Sequence, residues 1–279
     1  MREIEKLGIV GLGLMGGSVM LALYDSDIEI SAYVRNEALL NELREEYPEV
    51  RFSNSPKDLF DVCDCILICL NPSDELEFVE QYAGEFRKGT IITDISGVKG
   101  DICVKIQKLM PPGVAFIPAH PMAGREHFGF EMATKDLFCG CNFLICIYDG
   151  IDEAAADSVA NLAKKLSVGK IIFCDIKTHD SKISYTSQLP HVLALSYVNT
   201  MKGEVLDFAA GSFQDVSRVA DINSKMWAEL FIQNKENLCA EIENMQRNMH
   251  SLKELIEQEK FGELKETMDM ISEKLKRAK

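Results

Sequence analysis

Short apolar runs alternate with amphipathic stretches over the first 175 residues. The runs are rich in β-branched side chains and are predicted to be strands at 6–10, 28–34, 65–70, 90–95, 114–119, 142–147 and 170–174. The stretches between them have helical periodicity and are predicted to be helices at 17–24, 37–47, 75–87, 100–109 and 152–166. Continuous apolar strands joined through helices are typical of a parallel sheet with both faces covered. The pattern therefore predicts an α/β domain over residues 1–175.

The pattern changes after residue 175, where strand-like runs end and helical periodicity continues over residues 176–279. Near the chain end, apolar residues recur in alternating steps of four and three, at Leu238, Ile242, Met245, Met249, Leu252 and Ile256. The rhythm resumes past Gly262, at Leu264, Met268, Ile271 and Leu275. This spacing is typical of a coiled-coil seam. We predict an all-helical C-terminal domain that ends in a helical hairpin, whose seam packs within the chain or against a second subunit.

Three glycines directly follow the first predicted strand. The stretch "GIVGLGLMGGS" places Gly11, Gly13 and Gly16 in G-x-G-x-x-G spacing at the start of a helix, inside a complete β-α-β unit. Such glycines permit a tight turn, close approach to a pyrophosphate and close helix–strand packing. The first helical turn, with Leu14 and Met15, offers unpaired N–H groups to phosphates. The loop predicts a dinucleotide site in a Rossmann-like, mostly parallel sheet.

The end of the second predicted strand bears on the choice of cofactor. Proteins that bind NAD place an acidic residue there, which binds the ribose hydroxyls. This chain has Val34 at that position, followed by Arg35. A guanidinium pairs with a 2′-phosphate, so the sequence favours NADP over NAD, with NAD still usable. In the alternative interpretation, Arg35 stacks on the adenine or points to solvent.

A histidine follows the fifth predicted strand, in "HPMAGREHFG" at 120–129. Ligands of such sheets bind beyond the carboxyl ends of the strands, where "SGVKG" at 96–100 also lies. We therefore predict that His120 is a catalytic group on a loop that faces the cofactor. We interpret His127, His179 and His250 as ordinary surface residues, and Trp227 as a core residue.

Composition narrows the possible partners. The formal net charge is −14 and no basic stripe is evident, which argues against nucleic-acid binding. No apolar stretch reaches about 18 residues, so no transmembrane helix is predicted. The N-terminus lacks the pattern of a signal peptide, and we expect a cytoplasmic protein. The cysteine spacing does not match that of zinc sites, so no metal is predicted.

Five ordered motifs resemble those of the prephenate/arogenate dehydrogenase family of tyrosine biosynthesis. They are "GLGLMGGS" (11–18), "TDISGVKG" (93–100), "HPMAGREHFG" (120–129), "SQLPHVLA" (187–194) and "SFQDVSRVADINSKMW" (212–227). The resemblance implies a nucleotide-binding domain followed by a helical domain that dimerises. It implies oxidative decarboxylation of prephenate to 4-hydroxyphenylpyruvate. The alternative within the family is arogenate, which would give tyrosine directly.

The resemblance also implies roles for individual residues. His120 would accept the proton of the substrate hydroxyl, a task that suits a neutral histidine near pH 7. Arg218 would anchor a substrate carboxylate, with Asp215 orienting it from one helical turn away. His191 would make a second polar contact with the substrate, and Glu126 would lie at the mouth of the site.

One position departs from the family pattern. The family often has "GSVK" where this chain has Ser96, Gly97, Val98 and Lys99, so the serine has moved back by one residue. We expect either that Ser96 assists His120 through a shifted backbone, or that a water molecule takes this role.

Two other interpretations fit parts of the chain. β-Hydroxyacid dehydrogenases have a similar glycine loop, but their G-x-x-G-x-G-x-x-x-K motif is not found here. A non-catalytic, NADP-binding redox sensor would also keep the glycine loop. It would have no reason to keep His120, His191 and Arg218 together.

Overall fold

The computed structural model describes residues 3–124 and 129–278. A six-stranded parallel sheet lies at the centre, in the order β3-β2-β1-β4-β5-β6. Its strands are β1 (Lys6–Val10), β2 (Glu29–Tyr33), β3 (Arg51–Ser53), β4 (Cys65–Ile68), β5 (Ile91–Asp94) and β6 (Ala115–Ile117). The strand order reverses between β1 and β4, and sheets of this type bind ligands at such a reversal. The predicted Rossmann-like fold is confirmed.

Helices cover both faces of this sheet, and apolar side chains on both sides form buried clusters. They are α1 (Leu14–Leu23), α2 (Glu37–Glu46), α3 (Lys57–Phe60), α4 (Pro72–Tyr82), α5 (Gly100–Leu109) and α6 (Glu153–Lys165). Most lie close to the predicted ranges. The predictions missed β3 and α3 because both are too short to show a clear period.

A second sheet begins where the predicted strand 114–119 divides at Pro118. After β6, the chain continues as β7 (Ala119–Pro121), which pairs antiparallel with β8 (Asn142–Ile147). In turn, β8 pairs in parallel with β9 (Lys170–Asp175). The segment that holds His120 is therefore a short strand, and the prediction of a loop at this position was wrong. Pairing with β8 fixes its backbone more firmly than a loop would.

Residues 176–234 are helical. They contain α7 (Ile176–Ile183), a π-helical turn (Ser184–Gln188), α8 (Leu189–Asn199), α9 (Gly211–Ser217) and α10 (Ser224–Gln233). These helices pack on the α/β part; α7 contacts α5 and β8, and α10 contacts α4. The first compact unit therefore extends to Asn234. The expected division at residue 175 marks a change of secondary structure, whereas packing divides the chain at 234.

Residues 235–278 form the second compact unit. It is a helical hairpin of α11 (Lys235–Glu257) and α12 (Phe261–Ala278), as the apolar spacing predicted. Several residues of the predicted seam are exposed in the single chain, among them Met249, Ile256, Met268, Ile271 and Leu275. Among all the residues that the structure describes, no helix is long and apolar enough to span a membrane.

Candidate active site

A cavity of about 490 Å³ opens at the carboxyl ends of β1, β4 and β5. It lies within the first compact unit, where the order of the parallel strands reverses. Seven of the predicted site residues line it: Gly13, Leu14, Met15, Ser96, His120, His191 and Arg218. These residues come from both the sheet region and the helical region of this unit. The structure therefore brings the glycine loop and the predicted substrate residues to one cavity.

The glycine loop has the geometry of a phosphate cradle. Gly11 has φ +96°, a conformation that other residues rarely adopt, and it turns the chain from β1 into α1. A Cβ atom on Gly16 would collide with the carbonyl oxygen of Gly11. Among the described residues, Gly13 has no neighbour within 4 Å of a Cβ position, and as the N-cap of α1 it has no side chain that could cap the helix. The loop therefore presents open backbone to a ligand.

Two predicted residues that the structure describes, Arg35 and Asp215, do not line the cavity. Arg35 is exposed just after β2, whereas Val34 is buried in the apolar core, and neither lines the cavity. Asp215 is exposed on α9, and in the described part of the chain it forms no ion pair with Arg218. Glu126 and His127 lie outside the described residues. The roles predicted for Arg35, Asp215 and Glu126 stay predictions.

A buried ion pair fixes the backbone beside His120. The Lys99 Nζ atom lies 2.5 Å from Asp94 Oδ2 and donates to the carbonyl of Ala119 at 2.5 Å. The Ala119 N–H donates to Asp94 Oδ1 at 2.9 Å, and the Ser96 N–H donates to Asp94 Oδ2 at 3.0 Å. Lys99 and Asp94 are almost fully buried. The pair therefore ties the end of β5 to the start of β7, one residue before His120.

The His120 ring is the first of three polar side chains that contact one another in the protein interior. Its Nδ1 atom lies 3.0 Å from His179 Nε2, and His179 Nδ1 lies 2.7 Å from Asp180 Oδ1. The interpretation of His179 as a surface residue was wrong, because its side chain is buried at the start of α7 against His120. His250, in contrast, is exposed on α11, as expected.

Burial governs the protonation of both rings. It lowers the pKa of His120 well below that of an ordinary histidine, and the neighbouring His179 ring and Lys99 ammonium lower it further. Burial also lowers the pKa of His179, against the opposing effect of its hydrogen bond with Asp180. Both rings are therefore neutral near pH 7, and a neutral imidazole can act as a base.

The displaced serine leaves space beside the His120 ring. The Ser96 hydroxyl donates to the carbonyl of Val98 at 3.1 Å. At the next position, a Cβ atom on Gly97 would lie 3.8 Å from His120 Nε2, in ordinary contact. A Cβ atom would therefore fit at 97 in ordinary contact with Leu230 and His120. The role predicted for Ser96 stays a prediction.

A π-helical turn positions His191. The Leu189 N–H donates to the carbonyl of Ser184, five residues back, and Pro190 has no N–H to donate. Proline in a regular helix clashes with the carbonyl four residues before it, and the wider turn relieves this clash. The Nδ1 atom of His191 lies 2.8 Å from the carbonyl of Ser187, and because a carbonyl only accepts, this nitrogen carries the proton.

Trp227 lies at the cavity, so the interpretation of it as a core residue was wrong. Its ring stacks on that of His191, with centroids 3.7 Å apart and an angle of 30° between planes. Arg218 follows α9, and its side chain lines the same cavity. His191, Arg218 and the Trp227 ring therefore line the same cavity.

Sequence reasoning missed several residues of the site. They are Asp94, Lys99, His179, Asp180, Gln188 and Trp227. Two of them lie inside "TDISGVKG", which was quoted only as a motif. The adjacent pair "HD" at 179–180 could have signalled a buried polar contact, because it falls on an otherwise apolar helix face. No pattern in the sequence indicated which ring that pair would contact.

Known proteins of one family resemble this chain over most of its length. Residues 33–172 match the family "Prephenate dehydrogenase, nucleotide-binding domain", and residues 175–270 match "Prephenate dehydrogenase, dimerization domain". A prephenate dehydrogenase from Lactococcus lactis is 28% identical over 264 residues, which are 89% of this chain and 70% of that protein.

Solved structures support the same fold. Prephenate dehydrogenase from Aquifex aeolicus, in complex with hydroxyphenyl propionate and NAD+, superimposes with a TM-score of 0.89 at 23% identity, covering 100% of this chain and 99% of that one. Arogenate dehydrogenase from Synechocystis has a TM-score of 0.84 at 22% identity, covering 98% and 100%. The first family match alone spans half of the residues. The chain therefore belongs to the prephenate dehydrogenase family.

Proposed function

We propose that this dehydrogenase catalyses the oxidative decarboxylation of prephenate to 4-hydroxyphenylpyruvate, a step of tyrosine biosynthesis. The observation that carries the proposal is the single cavity that joins a glycine-loop cradle to His120, His191 and Arg218. The cradle fits a dinucleotide, and the three polar side chains fit a small anionic substrate that bears a hydroxyl group.

The cofactor would be held by the loop at Gly11, Gly13 and Gly16 and by the first turn of α1 at Leu14 and Met15. The open backbone at Gly13 and the uncapped helix N-terminus support this assignment. A bound nicotinamide would accept the hydride that the substrate ring loses.

His120 would accept the proton of the substrate hydroxyl at Nε2. The O–H bond would break and its electron pair would form a carbonyl as the C–H bond of the same carbon releases hydride. The bond to the ring carboxylate would break with release of CO₂, and its electron pair would enter the ring, leaving the carbonyl oxygen as a phenolate that takes up a proton. Aromatisation of the ring drives this last step. The lowered pKa of His120 keeps its ring neutral, which supports a role as base.

Arg218 would hold a substrate carboxylate through paired N–H groups, and His191 would make a second contact. Prephenate is a dianion, and a guanidinium recognises carboxylates in bidentate geometry. Stacking on Trp227 and the bond from Nδ1 to Ser187 fix the His191 ring from two directions. Glu126 at the mouth, and Asp215 beside Arg218, would complete the site.

The chain would form a homodimer through its C-terminal helices. The exposed apolar residues on α11 and α12 support this, because a second subunit could bury them. The match of residues 175–270 to a dimerization domain supports the same proposal.

Steady-state kinetics with prephenate and arogenate, each with NAD and with NADP, tests the proposed reaction. The two substrates differ in a keto or an amino group, which one or two contacts can distinguish. We expect the highest kcat/KM with prephenate. A higher kcat/KM with arogenate would assign the alternative reaction, and the absence of turnover with both would contradict the proposal.

We expect NADP to be the preferred cofactor by a modest factor. Arg35 is exposed at the end of β2, where a side chain can reach a 2′-phosphate. A charge-assisted hydrogen bond changes affinity by roughly 10- to 150-fold, and salt reduces this at an exposed site. Arg35→Ala should therefore lower kcat/KM with NADP by about 10-fold and leave NAD unchanged.

The control for this measurement is Arg277→Ala, which removes an exposed arginine from α12. This variant should leave kcat/KM unchanged with both NADP and NAD. Because Val34 is buried, an acid introduced at 34 would bury a charge, and Arg35 is the better position to test. Equal or better kcat/KM with NAD in the native protein would show that Arg35 does not bind the phosphate.

A further inference from the structure

Two buried residues form a chain of contacts with the His120 ring, in which His179 contacts the ring and Asp180 contacts His179. His179 is 1% exposed and Asp180 is 5% exposed, and neither lines the cavity. They connect through the 3.0 Å contact of His120 Nδ1 with His179 Nε2 and the 2.7 Å contact of His179 Nδ1 with Asp180 Oδ1. The contact with His120 therefore links both residues to the cavity.

The position of Asp180 is fixed by backbone N–H groups. The Lys99 N–H donates to Asp180 Oδ1 at 2.9 Å, and the Gly100 N–H donates to Oδ2 at 2.7 Å. These amides lie at the N-terminus of α5, where a helix stabilises negative charge. The Asn234 side chain also donates to the backbone carbonyl of Asp180 at 2.9 Å. Both carboxylate oxygens therefore accept hydrogen bonds, and the group is firmly held.

This arrangement assigns the protons along the chain of side chains. Because Asp180 Oδ1 accepts, His179 Nδ1 carries a proton, and Nε2 of the neutral His179 ring can only accept. His120 Nδ1 must then donate, which leaves His120 Nε2 without a proton. That nitrogen lies beside Gly97 at the cavity, where a proton acceptor is needed. Free histidine in water favours the opposite tautomer, so the protein selects the minor form.

We propose that His179 and Asp180 are positioning residues that hold His120 with a bare Nε2 towards the cavity and stabilise the imidazolium formed there. This inference deepens the proposed function and rests on it. When the substrate O–H bond breaks, an Nε2–H bond forms and His120 becomes positive. The hydrogen bond from its Nδ1–H to His179 strengthens, and the Asp180 carboxylate balances the charge through the His179 ring.

Two substitutions of His179 separate this role from a structural one. His179→Leu removes the acceptor for the His120 Nδ1–H, and it should lower kcat by about 10²-fold with KM for both substrates unchanged. His179→Gln keeps an acceptor, because its amide oxygen can take the place of Nε2, and it should retain kcat within about 10-fold of native. The matched control, His250→Leu on the exposed face of α11, should leave kcat unchanged.

NMR of the ¹⁵N-histidine-labelled protein gives a readout that needs no substrate. The native protein should show His120 with a protonated Nδ1 and a bare Nε2. His179→Gln should keep this tautomer, and His179→Leu should shift it towards Nε2–H. Thermal unfolding of each variant checks that it is folded.

The inference is overturned if native His120 carries its proton on Nε2, or if folded His179→Leu has native kcat. It is also overturned if His179→Gln loses as much activity as His179→Leu while both are folded. If native protein turns over neither prephenate nor arogenate, the proposed function fails. The tautomer measurement still decides whether His179 sets the state of His120.

Discussion

Replacing His120 with asparagine should lower kcat by about 10²–10⁴-fold, the usual contribution of a general base. The asparagine amide can take the place of Nδ1 and donate to His179 Nε2, so the buried hydrogen bond is kept. Only the Nε2 base at the cavity is lost. Cofactor affinity should change little, because the glycine loop is untouched. Steady-state kinetics, together with titration of the reduced dinucleotide, measures both quantities.

The same residue predicts the acidic limb of the pH profile. His120 acts when neutral, and burial, His179 and Lys99 all lower its pKa. In native protein, kcat/KM should therefore stay level as the pH falls through the pKa of an ordinary histidine, and decline only at lower pH. This limb should be absent from the residual activity of His120→Asn. Near-native kcat in that variant, with His250→Asn as the matched control, would exclude His120 as the base.

Replacing Lys99 with methionine should destabilise the fold by about 3–5 kcal/mol, the usual cost of removing one partner of a buried ion pair. Methionine matches the apolar stem of lysine, so the cavity that it leaves is small. The substitution removes the charge opposite Asp94 and the donor to the Ala119 carbonyl. Urea denaturation measures the free energy of unfolding. A loss within experimental error would show that the pair does not hold this part of the fold.

Lys165→Met is the matched control for burial. Lys165 pairs with Asp27 at the same distance of 2.5 Å, but Asp27 lies at the surface. Water screens an exposed pair and competes for its charges. Lys165→Met should therefore lower the free energy of unfolding far less than Lys99→Met does. Lys99→Met should also lower kcat, because the Ala119 carbonyl that it releases lies one residue before His120. Equal losses of stability in the two variants would show that burial does not make the Lys99–Asp94 pair more important than the exposed pair.

Much of this site was predictable because its parts are local in sequence. The glycine loop needs one strand, one turn and one helix, all within 30 residues, and its spacing reflects backbone geometry. Apolar periodicity located most of the strands of the parallel sheet, and it located the helical hairpin. The position of His120 at the site followed from the rule that ligands bind at the carboxyl ends of parallel strands. For these features, short-range pattern and general topology were sufficient.

Other features depended on contacts between distant segments. The rings of His120 and His179 are separated by 59 residues in sequence, and only the packing of α7 beside β7 and β8 brings them together. The same packing buries His179, which the sequence analysis had interpreted as an ordinary surface residue. Polar residues near the start of a helix have the same sequence pattern whether they face water or a buried partner. Its environment is set by the rest of the chain.

The sequence by itself determined most of the parallel sheet, the cofactor loop and the family, because each rests on periodicity or on a motif of adjacent residues. Tertiary structure alone decided which nitrogen of His120 faces the cavity. That outcome depends on Asp180 binding the N-terminus of α5, on His179 lying between Asp180 and His120, and on Lys99 anchoring the backbone beside them. Each group in this chain sets whether the next one donates or accepts a hydrogen bond, so all of the groups must be in place. No single segment of the sequence contains all of them.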